Sequence, residues 1–193
     1  MEAATGWLPK QTGIHYTRTA SATWLGESGG LAGQPVAGRA GRVGQEMTVK
    51  GFDQMRNPTN TPSRIRKALQ VSGFTAPRGT IVDVFGGPVK GMTGPLELAM
   101  CLMALSASGQ IQPIDWKTLI VGQVDWKGNI TAGSDTLAYA IYQRLKERSD
   151  YQLICPARML EQMPVNHQFT HKPIGLGHLS EIRSHPVFTE RLG

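Results

Sequence analysis

The chain has 193 residues, 40% of them hydrophobic, and a formal net charge of +6 from 20 Lys and Arg against 14 Asp and Glu. Its length suits one domain with a core, and its modest basic charge permits binding to nucleic acid without requiring it. No segment has the roughly 20 apolar residues of a membrane span, and the N-terminus lacks the pattern of a signal peptide. These observations predict a cytoplasmic protein with no membrane partner.

The first 43 residues are rich in Gly, Ala, Ser and Thr and show no sustained periodicity. This composition predicts a flexible arm over residues 1–43, followed by a single compact α/β domain over residues 44–193. Trp7, Tyr16 and Trp24 lie in the arm, where they could anchor a protein partner or pack onto the domain. The sequence leaves both interpretations open.

Regular patterns in the next segment predict two strands that alternate with two helices. They are a strand at 47–52, a helix at 63–73, a strand at 80–85 and a helix at 96–105. Gly73 suits the left-handed position that ends a helix. The helix at 96–105 is apolar on nearly every side, which predicts a place at the centre of the fold.

The second half of the chain continues the alternation of strands and helices. The predicted elements are a strand at 118–125 that returns at 130–131, a helix after Ser134, a strand at 151–155, a short helix at 159–163, a strand at 172–174 and a helix at 179–182. This order predicts the α/β class. Cys101 and Cys155 lie in separate apolar runs, which indicates free buried thiols rather than a disulfide.

The loop at 86–95 is rich in glycine and carries one lysine, Lys90. A phosphate-binding P-loop needs its lysine directly after a glycine, with backbone amides that converge on the phosphates. Here Lys90 precedes Gly91, and Pro88 removes one amide. We therefore predict no ATP site in this loop and no cofactor.

Several short motifs occur in an order and spacing that resemble a known family. They are Arg64–Leu69, Ser72–Pro77, Ala107–Ile111, Val121–Val124 and Gly128–Ile130. The segment from about residue 45 to 165 resembles the N-terminal domain of the ComM family of magnesium-chelatase-like proteins, a domain similar to the Lon proteolytic domain. The resemblance implies the same α/β domain and a setting in DNA processing, such as recombination or uptake.

Lon-type peptidases use a serine nucleophile and a lysine base, because a hydroxyl is a poor nucleophile until a base takes its proton. By the resemblance, the serine position falls within residues 93–95, where Thr93 is the only hydroxyl. The lysine position falls within residues 135–137, which contain no lysine. Thr93 is therefore the one catalytic candidate, and it has no matching base.

The densest basic neighbourhood consists of Arg64, Arg66 and Lys67 on the predicted helix at 63–73. Together with Lys90 they are candidates for contact with a nucleic-acid backbone. The alternatives are a charged, solvated helix face and, for Lys90, a solvated loop tip.

Asp83, Glu97 and Asp125 are isolated acids on separate elements, which predicts strand-end or cap roles rather than an acid–base pair. Four histidines occur in the C-terminal segment, at His167, His171, His178 and His185. No cysteine or acid cluster completes a ligand set around them, so we predict no metal site.

The sequence favours a non-catalytic binding or assembly module in DNA processing that contacts nucleic acid or a protein partner. ComM proteins carry an ATPase domain after this one, and the chain stops at Gly193 without it, so a separate ATPase is one expected partner. Two alternatives stay open. One is an atypical Lon-like peptidase that uses Thr93, and the other is a structural subunit of a homo-oligomer held by its N-terminal arm.

Overall fold

Short strands alternate with helices along the chain. A computed structural model describes residues 16–25, 31–51, 60–84, 96–114, 118–132, 152–163 and 170–189. The helices in these residues are α1 (Asn60–Val71), α2 (Glu97–Ala107), α3 (Ala157–Glu161), a 3-10 helix (Leu179–Arg183) and α4 (Pro186–Thr189). The strands are β1 (Tyr16–Leu25), β2 (Leu31–Ala40), β3 (Thr48–Lys50), β4 (Thr80–Val84), β5 (Thr118–Ile120), β6 (Gln123–Val124), β7 (Ile130–Thr131), β8 (Gln152–Pro156) and β9 (Ile174–Leu176).

Seven of these strands form one sheet in the order β3-β4-β2-β1-β5-β8-β9, and β6 pairs with β7 in a separate ribbon. The β3–β4, β1–β5, β5–β8 and β8–β9 pairs are parallel, whereas β2 is antiparallel to both β1 and β4. The chain passes from β3 through α1 to β4 and from β8 through α3 to β9. Each passage is the helical crossover that parallel neighbours require. The predicted α/β fold is confirmed.

The apolar helix α2 lies at the centre of the core, as its sequence predicts. Every residue from Glu97 to Ser106 is buried, and the helix packs against α1, β1, β2 and β4. Burial of each large apolar side chain contributes about 1.5–3 kcal/mol, so α2 supplies much of the hydrophobic stabilisation. Neither α2 nor any other helix in the described part of the chain is long and apolar enough to cross a membrane.

The N-terminal segment departs most from the sequence-based expectation. Residues 16–25 and 31–40 are β1 and β2, an antiparallel pair in the middle of the sheet, with Ala20 opposite Val36. Within the arm predicted over residues 1–43, the described residues 16–25 and 31–40 are therefore strands of the sheet. At these positions the chain is paired strand, and the sheet continues across the predicted boundary at residue 44.

Gly38 of β2 lies where α2 packs closely against the sheet. A Cβ atom on Gly38 would lie 2.5 Å from the carbonyl oxygen of Met103 and 3.0 Å from the Cβ of Ala107. Only a glycine lets α2 approach β2 this closely. Small side chains also suppress the alternation of large apolar and polar residues by which strands are recognised, which explains why the sequence indicated an arm.

Most other predicted elements are confirmed with small shifts in their ends. After α1 ends, Gly73 has a φ of 91°, the left-handed conformation expected at this position. The strand predicted at 118–125 is divided into β5 and β6, because the backbone at Gly122 turns toward α2 and its carbonyl accepts a hydrogen bond from Leu98. The helix predicted after Ser134 lies outside the described residues.

Candidate nucleic-acid interface

The three basic residues predicted on α1 lie on different sides of the helix. Ile65 and Leu69 are fully buried and define the side that faces the core. Successive residues of an α-helix are rotated by about 100°, so Arg64 and Arg66 border the buried side on its two opposite edges, whereas Lys67 lies on the outer face. The two arginines are therefore directed to different neighbours.

Arg64 is directed inward, to Glu97 in the first turn of α2. The two side chains form an ion pair in which Glu97 is completely buried and 24% of the Arg64 side chain is exposed. Glu97 also accepts a hydrogen bond of 3.5 Å from the backbone N–H of Val124. This placement gives Arg64 an internal ion-pair partner. It also assigns Glu97 to the interface between α1 and α2.

The environment of Glu97 alters its protonation. Desolvation by burial raises the pKa of the Glu97 carboxyl above its usual range. The hydrogen bond and positive charge of Arg64 and the amide of Val124 lower the same pKa, but they offset only part of the rise. The buried pair therefore holds a carboxyl that releases its proton less readily than an exposed glutamate.

Both cysteines are free and buried, as the sequence predicts. Burial raises the pKa of the Cys101 thiol, with a further contribution from the charge of Glu97. Burial also raises the pKa of the Cys155 thiol to about 12. Because the thiolate is the nucleophilic form, neither residue has the environment of a reactive cysteine.

Arg66 connects α1 to the segment that precedes β3. Its Nη1 atom lies 2.8 Å from Oε2 of Glu46. The guanidinium also donates hydrogen bonds to the Met47 carbonyl at 3.3 Å and to the Ser63 hydroxyl at 3.2 Å. Because 68% of the Glu46 side chain is exposed, this pair contributes only about 0–1 kcal/mol to stability.

A cleft of about 150 Å³ opens beside Arg66, between the outer face of α1 and the connection to β4. We call it the basic cleft. Its polar lining consists of Glu46, Ser63, Arg66, Lys67, Gln70 and Arg78. Three cations thus accompany one carboxylate, and that carboxylate is already paired with Arg66. Within the described part of the chain, neither Lys67 nor Arg78 has an acidic partner.

Arg78 is the member of the basic cleft that sequence reasoning missed. Its backbone N–H donates to the carbonyl of Ala76, and the next residue, Gly79, bonds to Gln45 and Gly41, each at 2.8 Å. These bonds fix the connection beside α1. The predicted order of strand, helix and strand could have indicated this position. In such a crossover, the segment that leads from the helix into the second strand passes close to the helix.

The other two isolated acids have structural roles, as expected. Asp83 on β4 pairs with Arg39 on β2, with 2.6 Å between Oδ2 and Nε. The Asp125 carboxylate accepts hydrogen bonds of 2.9 Å from the backbone N–H groups of Lys127 and Asn129 in the β6–β7 turn. Desolvation would raise the pKa of Asp125, but hydrogen bonds from Asn129 and the turn amides outweigh it, and the pKa is lowered.

Of the remaining predicted site residues, the structure describes two, and those by their backbone. Trp7, Lys90 and Thr93 lie outside the described residues. The backbone of Tyr16 and Trp24 belongs to β1, between β2 and β5 in the sheet. They therefore lie on a central strand rather than on an arm.

The histidines of the C-terminal segment are dispersed. His178 caps the 3-10 helix, and the His185 ring packs edge-on against Phe188 with 5.6 Å between centroids. His171 is exposed, and His167 lies outside the described residues. Among the residues that the structure describes, no group of three or more potential metal ligands converges.

Of the basic residues predicted from the sequence, the structure brings Arg66 and Lys67 together, adds Arg78 to them and turns Arg64 inward. Comparison with known proteins identifies no protein-family model and no curated protein that matches the chain.

Proposed function

We propose that this domain is a non-catalytic nucleic-acid-binding module and that the basic cleft holds a phosphate group of the backbone. The observation that supports this most directly is the pair Lys67 and Arg78. They come from separate elements, line one cleft and have no acidic partner among the described residues. Neighbouring cations without a counter-ion attract an anion, and contacts of Lys and Arg with phosphates supply most of the affinity in non-specific nucleic-acid binding.

The size of the cleft favours a phosphate over a whole small-molecule substrate. A volume of about 150 Å³ corresponds to roughly five water molecules in the liquid. Pockets that enclose drug-sized molecules measure about 300–1,000 Å³. One phosphate of a longer polymer fits the smaller volume, while the rest of the polymer stays outside. Ser63 and Gln70 add donors of the kind that contact phosphate oxygens.

The setting in DNA processing and the separate ATPase partner come from the resemblance to the ComM family, and both stay predictions. The peptidase alternative depends on Thr93, which lies outside the described residues. No feature of the basic cleft favours catalysis, because its one described hydroxyl, Ser63, accepts a hydrogen bond from Arg66 and has no histidine or lysine base bonded to it.

Fluorescence anisotropy at one low salt concentration tests the proposal. Labelled single-stranded DNA, duplex DNA and RNA of equal length would be titrated with the wild-type chain and with the double variant Lys67→Ala/Arg78→Ala. We expect the double variant to bind at least about fivefold more weakly, on the order of 1 kcal/mol, because it loses two phosphate contacts. Unfolding curves of the two proteins should coincide within about 0.5 kcal/mol, since surface substitutions rarely do more.

Arg158→Ala is the matched control, because Arg158 is exposed on α3, beside β8 and β9. These strands lie at the opposite edge of the sheet from β3, about 29 Å away at 4.8 Å per strand. The control should bind like the wild type. Failure of the wild type to bind any of the three nucleic acids, or an equal loss in Arg158→Ala, would contradict the proposal.

A further inference from the structure

A half-exposed tryptophan stands at the tip of the β6–β7 ribbon. Trp126 has 49% of its surface exposed to solvent, in the turn that Asp125 begins. A tryptophan offers a large flat surface with few rotatable bonds, which is why this residue is enriched among binding anchors. The hydrogen bonds that hold this turn, and the charged residues near it, indicate what Trp126 binds.

The turn is held from within. Both carboxylate oxygens of Asp125 accept hydrogen bonds, from the backbone N–H groups of Lys127 and Asn129 and from the Asn129 side chain, all at 2.9 Å. Gly128 has a φ of 89°, a conformation that side-chain-bearing residues rarely adopt. The backbone on both sides of Trp126 is therefore fixed.

The turn is also held from outside, by the segment that follows β9. The His178 ring donates a hydrogen bond of 2.7 Å from Nε2 to the carbonyl of Lys127, and the N–H of Leu179 donates to the carbonyl of Gly128 at 2.9 Å. Because a carbonyl only accepts, His178 carries a proton on Nε2, and its Nδ1 accepts from the N–H of Ser180 at 3.1 Å. Because these bonds already order the turn, binding of a partner to Trp126 costs little conformational entropy.

The turn packs against the helix that lines the basic cleft. A Cβ atom on Gly128 would contact the Ser72 hydroxyl just beyond α1, and one on Gly73 would contact the guanidinium of Arg183. Lys67 and Ser72 are five residues apart, which corresponds to about 7.5 Å along a helix axis. The turn therefore lies beside the C-terminal end of α1, and the basic cleft lies on the outer face of the same helix.

Lys127 follows Trp126 in the turn, and the Arg183 guanidinium lies beside Gly73, the residue after Ser72. Lys127 and Arg183 are exposed, and in the part of the chain that the structure describes neither has an acidic partner. The nearby acids are engaged in backbone hydrogen bonds: Asp125 within the turn, and Glu181 with the N–H groups of Gly177 and His178. Because both carboxylates are directed to amides, Lys127 and Arg183 are left to contact an anionic polymer.

We propose, on the basis of the proposed function, that Trp126 is a stacking platform for an unpaired base, so that the domain binds single-stranded nucleic acid. The strand runs from a phosphate in the basic cleft, around the outer face of α1, to the base on Trp126. Lys127 and Arg183 contact the phosphates beside that base. In a duplex the faces of the bases are covered by their neighbours, whereas a base in a single strand is free to stack on an aromatic side chain beside a basic track.

Three proteins and two ligands test this proposal by fluorescence anisotropy. The wild type, Trp126→Ala and Trp126→Phe would be titrated with labelled oligothymidine and with an abasic oligomer of the same length and charge. We expect Trp126→Ala to bind oligothymidine roughly 5- to 150-fold more weakly, the range for loss of one stacked base. Trp126→Phe should retain most of the affinity, and all three proteins should bind the abasic oligomer equally.

Each contrary outcome identifies what has failed. Equal binding of oligothymidine by the wild type and both variants overturns the stacking platform, while salt-dependent binding of the abasic oligomer leaves the phosphate site in place. No binding of either oligomer by the wild type overturns both proposals. Unchanged affinity with a lower mass of Trp126→Ala in light scattering also overturns the platform and assigns Trp126 to a contact between copies of the chain.

Discussion

Two regions beside α1 contain the same kinds of charged residue and use them differently. On the inner side, Arg64 faces the fully buried carboxylate of Glu97. On the outer side, Lys67 and Arg78 line the basic cleft without an acidic partner among the described residues. The inner ion pair is satisfied within the protein and joins α1 to α2, whereas the outer cations can bind an anion from solution.

The difference arises from helical position rather than from residue type. Arg64, Arg66 and Lys67 are nearly adjacent in the sequence, but a rotation of about 100° per residue places the two arginines at opposite edges of the buried side and Lys67 on the outer face. Of the three, Arg64 is the one that meets the buried carboxylate of Glu97. A buried charge requires a partner because its desolvation is costly, and an exposed charge does not. A basic cluster in a sequence therefore overstates the charge that the folded surface offers.

Removal of the inner carboxylate should have the largest effect on stability. We expect Glu97→Ala to lower the free energy of unfolding by about 3–5 kcal/mol, because it leaves the Arg64 guanidinium without its partner at a buried interface. Urea denaturation measures this change. At a temperature where the variant is folded, its affinity for nucleic acid should equal that of the wild type. A folded variant that no longer binds would place the inner pair in the binding site.

A substitution at Gly38, where α2 packs on β2, tests whether the N-terminal strands share the hydrophobic core of the domain. Gly38→Val should destabilise the protein by about 1–3 kcal/mol, because the new side chain would meet the backbone of α2 at Met103. Ala40→Val, at an exposed position of the same strand, should change stability by less than about 0.5 kcal/mol. Equal unfolding curves for both variants would mean that β2 does not lie against α2.

The pH dependence of stability reports the protonation of the inner pair. The pKa of Glu97 is raised on folding from its ordinary value of 4.5, so the folded state holds this proton more tightly than the unfolded chain. The contribution of the protonated Glu97 carboxyl to the free energy of unfolding is therefore complete below pH 4.5. This contribution is lost as the pH rises through the raised pKa of the folded state.

Denaturation of the wild type and of Glu97→Gln across this range isolates the titration, because the amide does not titrate. The wild type should lose stability relative to Glu97→Gln as the pH increases. The opposite slope would mean that Arg64 outweighs desolvation and that the pKa of Glu97 is lowered.

The smallest effect is expected at the outer carboxylate. Glu46→Ala removes the partner of Arg66, but because 68% of the Glu46 side chain is exposed, stability should fall by less than about 1 kcal/mol. Affinity for nucleic acid should rise a few-fold, on the order of 1 kcal/mol or less, since the basic cleft loses its one negative charge. Weaker binding by this variant would indicate that Glu46 positions Arg66 for the contact.

The sequence was informative where local patterns decide the structure. The apolar run of α2, the glycine that follows α1 and the alternation of strands and helices all predicted elements that the fold contains. Two of the four predicted basic residues, Arg66 and Lys67, lie in the basic cleft.

The rest depends on contacts between distant parts of the chain. The small residues of β2 indicated an arm because their role is to let α2 approach the sheet at Gly38. Arg64 was predicted to be exposed because its partner, Glu97, is 33 residues away. Arg78 and the turn that carries Trp126 are brought beside α1 only by the crossover to β4 and by the packing of Gly128 near Ser72.

The dependence of affinity on salt tests most directly whether the outer cations of α1 bind phosphates. The Kd for single-stranded DNA would be measured across a salt series for the wild type and for Lys67→Ala/Arg78→Ala. Each lost phosphate contact should reduce the slope of log affinity against log salt by about 0.7, so we expect a reduction of about 1.4 in the double variant. An unchanged slope would contradict the assignment of the basic cleft as a phosphate site.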